Sequence, residues 1–324
     1  MAYMCYYRSC LNQKEQKAYD ILVEGIARRK DEISVPAINE HELERVHTAV
    51  NYDYPDFFYV NFYSYKYIIG KYHTEIQINY TMSAKEASKI KRDIDKVANQ
   101  IVAKSKNLSE LEAERYLNDE LRKNAVYGKT EGKEFNAQNL MGAFLDGKCV
   151  CEGFAKAFKY LADMIKLKSI IAVGYAGTKS GEIERHAWNI VRIDSQSYHL
   201  DVTYNNVEYD DGGKNIIYFS RAYFNLSDRE IMRDHVMDTM FTLPKCQESR
   251  SEVNIISSTK GLLSFLKNEA ERGNRFSELR LTKEFEIEEI IELIRSRITP
   301  EDYEWYNKIE RYVLGDYSLI IEWA

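Results

Sequence analysis

The spacing of apolar residues along the chain predicts several amphipathic helices with short strands between them. From Ala87 to Ile101, apolar side chains recur at intervals of three and four, the period of one buried helical face. From Ile76 to Met82 they occupy every second position, which is typical of a half-buried strand. The pattern therefore predicts a mixed α+β protein.

Four helix starts carry the signature of a capping box, in which a side-chain oxygen and a glutamate three residues later satisfy unpaired backbone amides. The pairs are Asn12 with Glu15, Asn39 with Glu42, Ser83 with Glu86, and Ser109 with Glu112. Each pair precedes a helical pattern, so we expect four helices in the first third of the chain.

The same patterns divide the chain into three regions. We predict an N-terminal α+β supporting region at 1–125, a central region at 126–248 that carries the chemical motifs, and a small C-terminal α/β domain at 249–324. In the last region we expect strands at 253–257, 277–281 and 317–323, and helices at 259–272, 285–297 and 301–313.

Charge and composition narrow the possible partners. Forty-five Lys and Arg against 51 Asp and Glu give a net charge of −6, which argues against a nucleic-acid partner. The sequence has no apolar run of bilayer-spanning length and its first residues soon become polar, so we expect no membrane association and a cytoplasmic location. Five cysteines, an odd number, favour reduced thiols over a disulfide framework.

The segment around Cys151 predicts a reactive thiol. Apolar residues from Phe154 to Ile165 follow a helical period that begins at Cys151 and places its side chain on the buried face. A first-turn position favours a thiolate, because unpaired amides and the helix dipole stabilise negative charge there. Cys149 lies outside the helix, and Gly153 permits a close approach of chain or substrate. Alone, however, a cysteine on an apolar face is more often a core residue.

A histidine and an aspartate follow on a predicted hairpin. Residues 185–193 and 198–203 have strand composition and are separated by a turn-like segment. If the turn centres on Asp194 and Ser195, Asp201 becomes a diagonal neighbour of His186, within side-chain reach. A turn one residue later, or a three-residue loop, would separate the two. Trp188 would share their face and could shield the pair from water.

The remaining histidines, His41, His47, His73, His199 and His235, are interpreted as surface or core residues. A zinc site built from Cys149, Cys151 and His186 is disfavoured, because the second ligand pair of a structural site is missing. We therefore predict no metal and no cofactor.

Three ordered motifs resemble those of bacterial members of the transglutaminase-like superfamily. They are Gly147 onward with Cys151-Glu152-Gly153, the HAWN sequence at 186–189, and Asp201-Val202-Thr203. The resemblance implies a papain-like core, a helix packed on an antiparallel sheet, with Cys151 as nucleophile, His186 as base and Asp201 as the residue that orients the base. No tryptophan precedes Cys151, and the calcium loops of the animal enzymes are not evident. Candidates for oxyanion or substrate contact are Tyr127, Asn136, Gln138 and Trp188.

These residues predict acyl transfer on a peptide or protein substrate, with hydrolysis, the activity of a cysteine peptidase or amidase, as the first hypothesis. Hydrolysis is favoured because a thioester open to water hydrolyses by default, whereas cross-linking needs a second site that admits an amine and excludes water. The alternatives are a protein cross-linking transglutaminase and a binding scaffold that keeps the fold without turnover. The sequence does not predict the oligomeric state.

Overall fold

A computed structural model describes residues 5–177, 182–211, 214–282, 285, 290–314 and 318–324. Its helices and strands confirm a mixed α+β protein. Within this part of the chain, no helix is both long and apolar enough to cross a lipid bilayer. All five cysteines lie in the described residues, and none forms a disulfide.

The N-terminal third contains most of the long helices. In chain order its elements are α1 Tyr6–Ser9, α2 Gln13–Ala27, β1 Glu32–Pro36, α3 Glu40–Asp53, β2 Lys66–Ile69, β3 His73–Gln77, α4 Ala84–Val102 and α5 Glu110–Asn124. All four predicted capping boxes are present at the starts of α2, α3, α4 and α5. The strand predicted from the alternation of Ile76 to Met82 is β3, which ends earlier, at Gln77, and β1 was not predicted.

The central elements include the helix and the hairpin that carry the chemical motifs. They are β4 Val126–Tyr127, a 3₁₀ turn Asn136–Gln138, a π-helical turn Gly142–Asp146, β5 Lys148–Cys149, α6 Cys151–Met164, β6 Lys168–Gly177, β7 Ile183–Ile193, β8 Gln196–Leu200, β9 Asn206–Asp211, β10 Lys214–Phe219, β11 Phe224–Leu226, α7 Asp228–Ile231 and β12 His235–Met237. The π-helical turn ends at Gly147, whose φ of 69° is left-handed and therefore favours glycine.

The C-terminal elements are β13 Asn254–Ile256, α8 Thr259–Arg272, β14 Phe276–Leu281, α9 Ile290–Arg297, a 3₁₀ turn Pro300–Asp302, α10 Tyr303–Tyr306, β15 Ile309–Leu314 and β16 Ser318–Trp323. The helix predicted at 301–313 is wrong in its second half. Residues from Ile309 form a strand, because β15 pairs with the antiparallel β16 and pairing overrides the local helical pattern. Part of the predicted helix 285–297, at 286–289, lies outside the described residues.

The strands form five sheets in the described residues. Three are small: β1-β3-β2, β10-β9, and the parallel pair β4-β5. A five-stranded sheet has the order β11-β8-β7-β6-β12, and a four-stranded sheet has the order β13-β14-β16-β15. In the latter, α8 connects the parallel strands β13 and β14, and the remaining pairs are antiparallel.

The chain divides into two compact units. The first comprises Met1–Val173, His186–Ser197 and Met237–Lys245, and the second comprises Gly174–Arg185, Tyr198–Val236 and Cys246–Ala324. The three-region division made from the sequence remains a prediction. A core cluster of the first unit includes Tyr7, Leu22, Val46, Ile76 and Ile171, and a core cluster of the second includes Leu262, Leu279, Trp305 and Trp323. Burial of such apolar surface stabilises each unit.

One buried carboxylate joins the first three helices. Asp53, at the end of α3, accepts hydrogen bonds from the backbone amides of Tyr7 and Arg8 and from the Tyr19 hydroxyl, at 3.1, 3.0 and 2.8 Å. Burial raises the pKa of Asp53 to about 6, although these donors act in the opposite direction. The charged form of Asp53 is therefore less stable in the folded protein than in the unfolded chain.

This shift predicts a pH dependence of stability. Because the folded pKa of Asp53 lies above the unfolded value, the folded state binds more protons between the two values, and stability falls as pH rises from about 4 to 6. We expect the free energy of unfolding of wild type relative to Asp53→Asn to fall by about 3 kcal/mol over that range. Urea unfolding at pH 4, 5, 6 and 7 measures the difference.

The matched control is Asp20→Asn, which removes an exposed carboxylate paired with Arg8 at 2.6 Å. Its difference from wild type should change by less than about 1 kcal/mol over the same range, because exposed ion pairs contribute little. A wild-type to Asp53→Asn difference that stays constant with pH would contradict the burial argument.

Candidate functional site

Cys151 is the first residue of α6, as the sequence predicts. The preceding Val150 is extended, and its side chain caps no backbone amide of the first turn. First-turn amides have no partner within the helix, so they are available to an anionic group at this end. Cys151 is half-buried and packs against the core of the first unit. Its sulfur therefore combines a fixed position with access to solvent.

The neighbouring Cys149 has a different environment. It is fully buried in β5, which pairs with β4 so that Tyr127 lies opposite Cys149. Burial, with a smaller contribution from Cys151, raises the pKa of Cys149 well above its usual value. A thiol that remains protonated is a poor nucleophile, so Cys149 is the weaker candidate of the two.

Gly153 allows α6 to approach the 3₁₀ turn Asn136–Gln138 closely. A Cβ atom at this position would lie 2.4 Å from the Ala137 carbonyl oxygen and 2.7 Å from the Cβ of Cys149. The Val150 amide also donates to the Ala137 carbonyl, at 2.9 Å. The close approach expected from the sequence is therefore one of chain against chain, and it fixes the start of the helix that carries Cys151.

His186 lies on β7 and is 8% exposed. Its ring stacks on that of Trp188, with centroids 6.0 Å apart and planes 19° apart. The two residues share a face of the strand, as alternation predicts. Trp188 itself is only 1% exposed. This position suits support of the imidazole better than direct contact with a substrate.

Asn189 joins the strand of His186 to the helix of Cys151. Its side-chain amide donates to the Ala155 carbonyl at 3.0 Å, in the second turn of α6, and lies 3.3 Å from the Ile170 carbonyl on β6. Asn189 is fully buried. Because Asn189 follows His186 by three residues and Ala155 follows Cys151 by four, these bonds restrict how the thiol and the imidazole are placed. The HAWN motif contained this residue, but sequence reasoning gave it no role.

The other candidates of the first unit surround the beginning of α6. Tyr127 is 52% exposed. The side-chain amide of Asn136 donates to Asp146 at 2.7 Å, which commits one of its donors to a structural contact. Gln138 lines a small surface pocket together with Asn51, Tyr63 and Lys156. Of the three, Gln138 is the one that lines this pocket.

The residue after the thiol, Glu152, belongs to a polar cluster on that side of the helix. It pairs with Lys156 at 2.8 Å and accepts hydrogen bonds from Tyr63 and Asn51 at 2.5 and 3.3 Å. Lys156 in turn donates to Asn51 at 2.8 Å. These contacts compensate the charge of Glu152 and hold the helix start against the N-terminal helices.

Of the turns that the sequence allowed, the hairpin has the one that makes Asp201 a diagonal neighbour of His186 in the strand register. Asp194 and Ser195 have φ values of 48° and 73°, and two consecutive positive values are typical of a two-residue type I′ turn. Strand β8 begins at Gln196 and ends at Leu200, one residue before Asp201. The prediction that the turn centres on these two residues is confirmed.

Asp201 lies in the second unit and is completely buried. One of its oxygens, Oδ1, accepts hydrogen bonds from the backbone amides of Thr203 and Tyr204 at 2.9 and 3.1 Å. The other, Oδ2, lies 3.1 Å from Nε2 of His235. His235 was interpreted from the sequence as a surface or core histidine, and the structure places it on the predicted orienting carboxylate. Because 34 residues separate the two, no local signal could have identified the pair.

One group of potential metal ligands in the second unit consists of His199, Asp228 and Cys246. Their ligand atoms lie within 4.8 Å of one another, and Nε2 of His199 is 2.9 Å from the Asp228 carboxylate. Burial is the main cause that lowers the pKa of His199, and it also raises that of Cys246. Three ligands of this kind suit zinc, but structural zinc sites use four. We interpret this group as a hydrogen-bonded histidine–carboxylate pair beside a buried thiol.

Comparison with known proteins found one family model that is similar to part of the chain. Residues 95–202 match the model of the Transglutaminase-like superfamily. No curated protein matches the chain significantly.

Three solved structures resemble it weakly. One is a TGase, at 13% identity, with 60% of this chain and 51% of that chain covered and a TM-score of 0.33. Another is a suspected cysteine protease from Cytophaga hutchinsonii, at 14% identity, 41% and 52% coverage and a TM-score of 0.29. The third is a suspected protease from Parabacteroides distasonis, at 10% identity, 67% and 46% coverage and a TM-score of 0.30. This chain covers about half the length of each.

The packing around Gly153 predicts a strong effect of a single methyl group. Gly153→Ala would place Cβ against the Ala137 carbonyl, a backbone atom that cannot rotate away. We expect a loss of about 1–3 kcal/mol in the free energy of unfolding, despite the higher helix propensity of alanine. The measurement is urea unfolding of both proteins at neutral pH.

Gly25→Ala is the matched control, because it also lies within a helix but would meet only the side chain of Ile33, at 2.4 Å. That side chain can change rotamer, so we expect a smaller loss. An equal loss for the two variants would show that the carbonyl contact does not set the position of α6.

Proposed function

We propose that this chain catalyses thiol-dependent acyl transfer on peptide or amide substrates, most readily hydrolysis, because residues 95–202 match the model of the transglutaminase-like superfamily. Cys151 is the nucleophile, His186 is the general base and acid, and Asp201 orients His186. The substrate is a peptide or protein, and neither nucleic acid nor a membrane is a partner. The site works with a reduced thiol, in agreement with the cytoplasmic location expected from the sequence.

The observation that carries this proposal is the contrast between two cysteines two residues apart. Cys151 stands half-buried at the start of a helix, whereas Cys149 is fully buried and its pKa is raised. The bond from Asn189 to Ala155 supports the proposal further, because it ties the helix of the thiol to the strand of the histidine. A merely structural cysteine would need neither solvent access nor this tether.

The chemistry follows from these roles. The Cys151 thiolate attacks the carbonyl carbon, the carbon–nitrogen bond breaks, and the His186 imidazolium gives its proton to the leaving amine. The product is a thioester on Cys151. Water then attacks the thioester and loses a proton to His186; the carbon–sulfur bond breaks, the carboxylic acid leaves, and the Cys151 thiolate and His186 imidazolium are restored. If a lysine amine attacks instead, the result is a cross-link.

The negative charge that develops on the carbonyl oxygen needs hydrogen-bond donors. We assign the first to the backbone amide of Cys151, which lies in the uncapped first turn of α6. Gln138 is the favoured side-chain donor, since it lies in the 3₁₀ turn that α6 approaches closely at Gly153 and lines a pocket. Tyr127 is the alternative, because it is exposed and lies opposite Cys149 in the β4-β5 pair.

The first test replaces each thiol in turn. Cys151→Ala should reduce cleavage of fluorescein-labelled casein, or incorporation of dansylcadaverine into casein, by at least about 1,000-fold, because removal of a nucleophile eliminates the covalent step. Cys149→Ala should retain activity within about tenfold. Release of labelled peptides measures hydrolysis, and incorporation of the fluorescent amine measures transfer.

Alkylation provides the control that needs no substrate. With iodoacetamide at pH 6 to 7, peptide mapping should show preferential modification of Cys151 over Cys149. If Cys151→Ala processed casein as fast as wild type, thiol catalysis at this position would be disproved. If Cys151 were alkylated no faster than a simple thiol and casein remained unchanged, the chain would be a binding scaffold.

A further inference from the structure

Four charged side chains form a continuous buried network in the second unit. They are Asp201, His235, Asp234 and Arg280, and none is more than 2% exposed at its side chain. Nε2 of His235 lies 3.1 Å from Asp201 Oδ2, and Nδ1 lies 2.5 Å from Asp234 Oδ1. Arg280 donates to the other oxygen of Asp234 at 2.5 Å. The network therefore leads from the proposed orienting carboxylate to β14, in the C-terminal part of the chain.

His235 lies between two carboxylates. Both of its ring nitrogens are within hydrogen-bond distance of carboxylate oxygens. Ionised carboxylates only accept hydrogen bonds, so a ring with hydrogen on both nitrogens can donate to each of them. The rings of Tyr204 and Tyr223 pack 5.2 and 5.6 Å from His235 and limit access of water.

Arg280 is fixed on three sides. Besides Asp234, it donates to the Glu230 carbonyl at 3.1 Å, and its guanidinium lies 4.3 Å from the centre of the Tyr223 ring. The Tyr223 hydroxyl also donates to Asp234, at 2.9 Å. Burial alone would raise the pKa of Asp234, but the charges of Arg280 and His235 outweigh it and lower the pKa below the usual value.

Asp201 is held by these contacts and by its own turn. Two backbone amides and the His235 ring bind its oxygens. Burying four charges in a protein costs more than apolar packing of similar volume, so stability alone is a weak reason for such a network.

We infer that His235, Asp234 and Arg280 are positioning residues that hold Asp201 as an oriented carboxylate for the reaction. This inference rests on the proposed function, because it acts through Asp201 on His186. It gives the C-terminal region a role in the site: Arg280, on β14, stabilises the far end of the network. The region in which the sequence showed no chemical motif thus contributes to the chemistry.

The test measures alkylation of Cys151 by iodoacetamide between pH 4 and 9 in the full-length chain, with peptide mapping to identify the modified cysteine. In wild type, the thiolate paired with the His186 imidazolium should react well below pH 8. We expect His235→Gln and Arg280→Met to raise the pH midpoint of the reaction by about one unit and to lower the rate at pH 6 about tenfold. Arg280→Lys, which keeps the charge, should stay within about threefold of wild type.

His199→Gln is the matched control. His199 is also fully buried, lies in the same unit and is bonded to a carboxylate, Asp228, at 2.9 Å, but not to Asp201. It should lower the free energy of unfolding in urea by about as much as His235→Gln while leaving the pH midpoint unchanged. An equal shift of the midpoint in both histidine variants would show that the network acts only through general stability.

His186→Asn and Asp201→Asn distinguish the proposed function from the positioning role of the network. If neither moves the midpoint, the proposed function fails. If both move it but His235→Gln and Arg280→Met do not, the function stands and the positioning role is overturned. Should His235→Gln fail to fold, Arg280→Met decides alone, because it leaves the Asp201–His235 contact in place.

Discussion

The hydrogen bond from the Asn189 side chain to the Ala155 carbonyl is the interaction on which the proposed chemistry depends. Loss of this bond would be costly, because it removes an acceptor from the fully buried side-chain amide of Asn189. The bond connects a helix to a strand at positions three and four residues away from the proposed base and nucleophile. The proposed nucleophile lies on a helix and the proposed base on a strand, so both are held more rigidly than they would be on a loop.

Gly153 provides the other half of this arrangement. The Asn189 bond holds the second turn of α6, and the missing side chain of Gly153 lets the first turn rest on the Ala137 carbonyl. Together, the Asn189 bond and the packing at Gly153 restrict the position of the first two turns of α6. The close packing at Gly153 that positions Cys151 also brings the helix against Cys149. Cys151 thus remains partly exposed to solvent, whereas Cys149 is buried. Selection between two adjacent cysteines follows from burial, without any difference in their chemistry.

The features that the sequence predicted are those set by neighbours a few residues apart. The capping boxes of α2 to α5 and the start of α6 at Cys151 depend on contacts within one helical turn, and the turn at Asp194 and Ser195 depends on two backbone conformations. Strand β15 was mistaken for a helix because its partner, β16, lies further along the chain and decides its conformation. The roles of Asn189 and His235 could not be read from sequence, since their partners are 34 residues away in each case.

The network around His235 shows why such long-range contacts matter for a site of this kind. A carboxylate that orients an imidazole must remain charged while it is shielded from water, and burial alone opposes that charge. Two backbone amides reduce the cost at one oxygen of Asp201, and the imidazolium of His235 reduces it at the other. That imidazolium needs a second anion, Asp234, and the second anion needs a cation, Arg280. Each buried charge in the network is thus paired with a charge of opposite sign. The last group is the guanidinium of Arg280, which packs on the Tyr223 ring and donates to the Glu230 carbonyl.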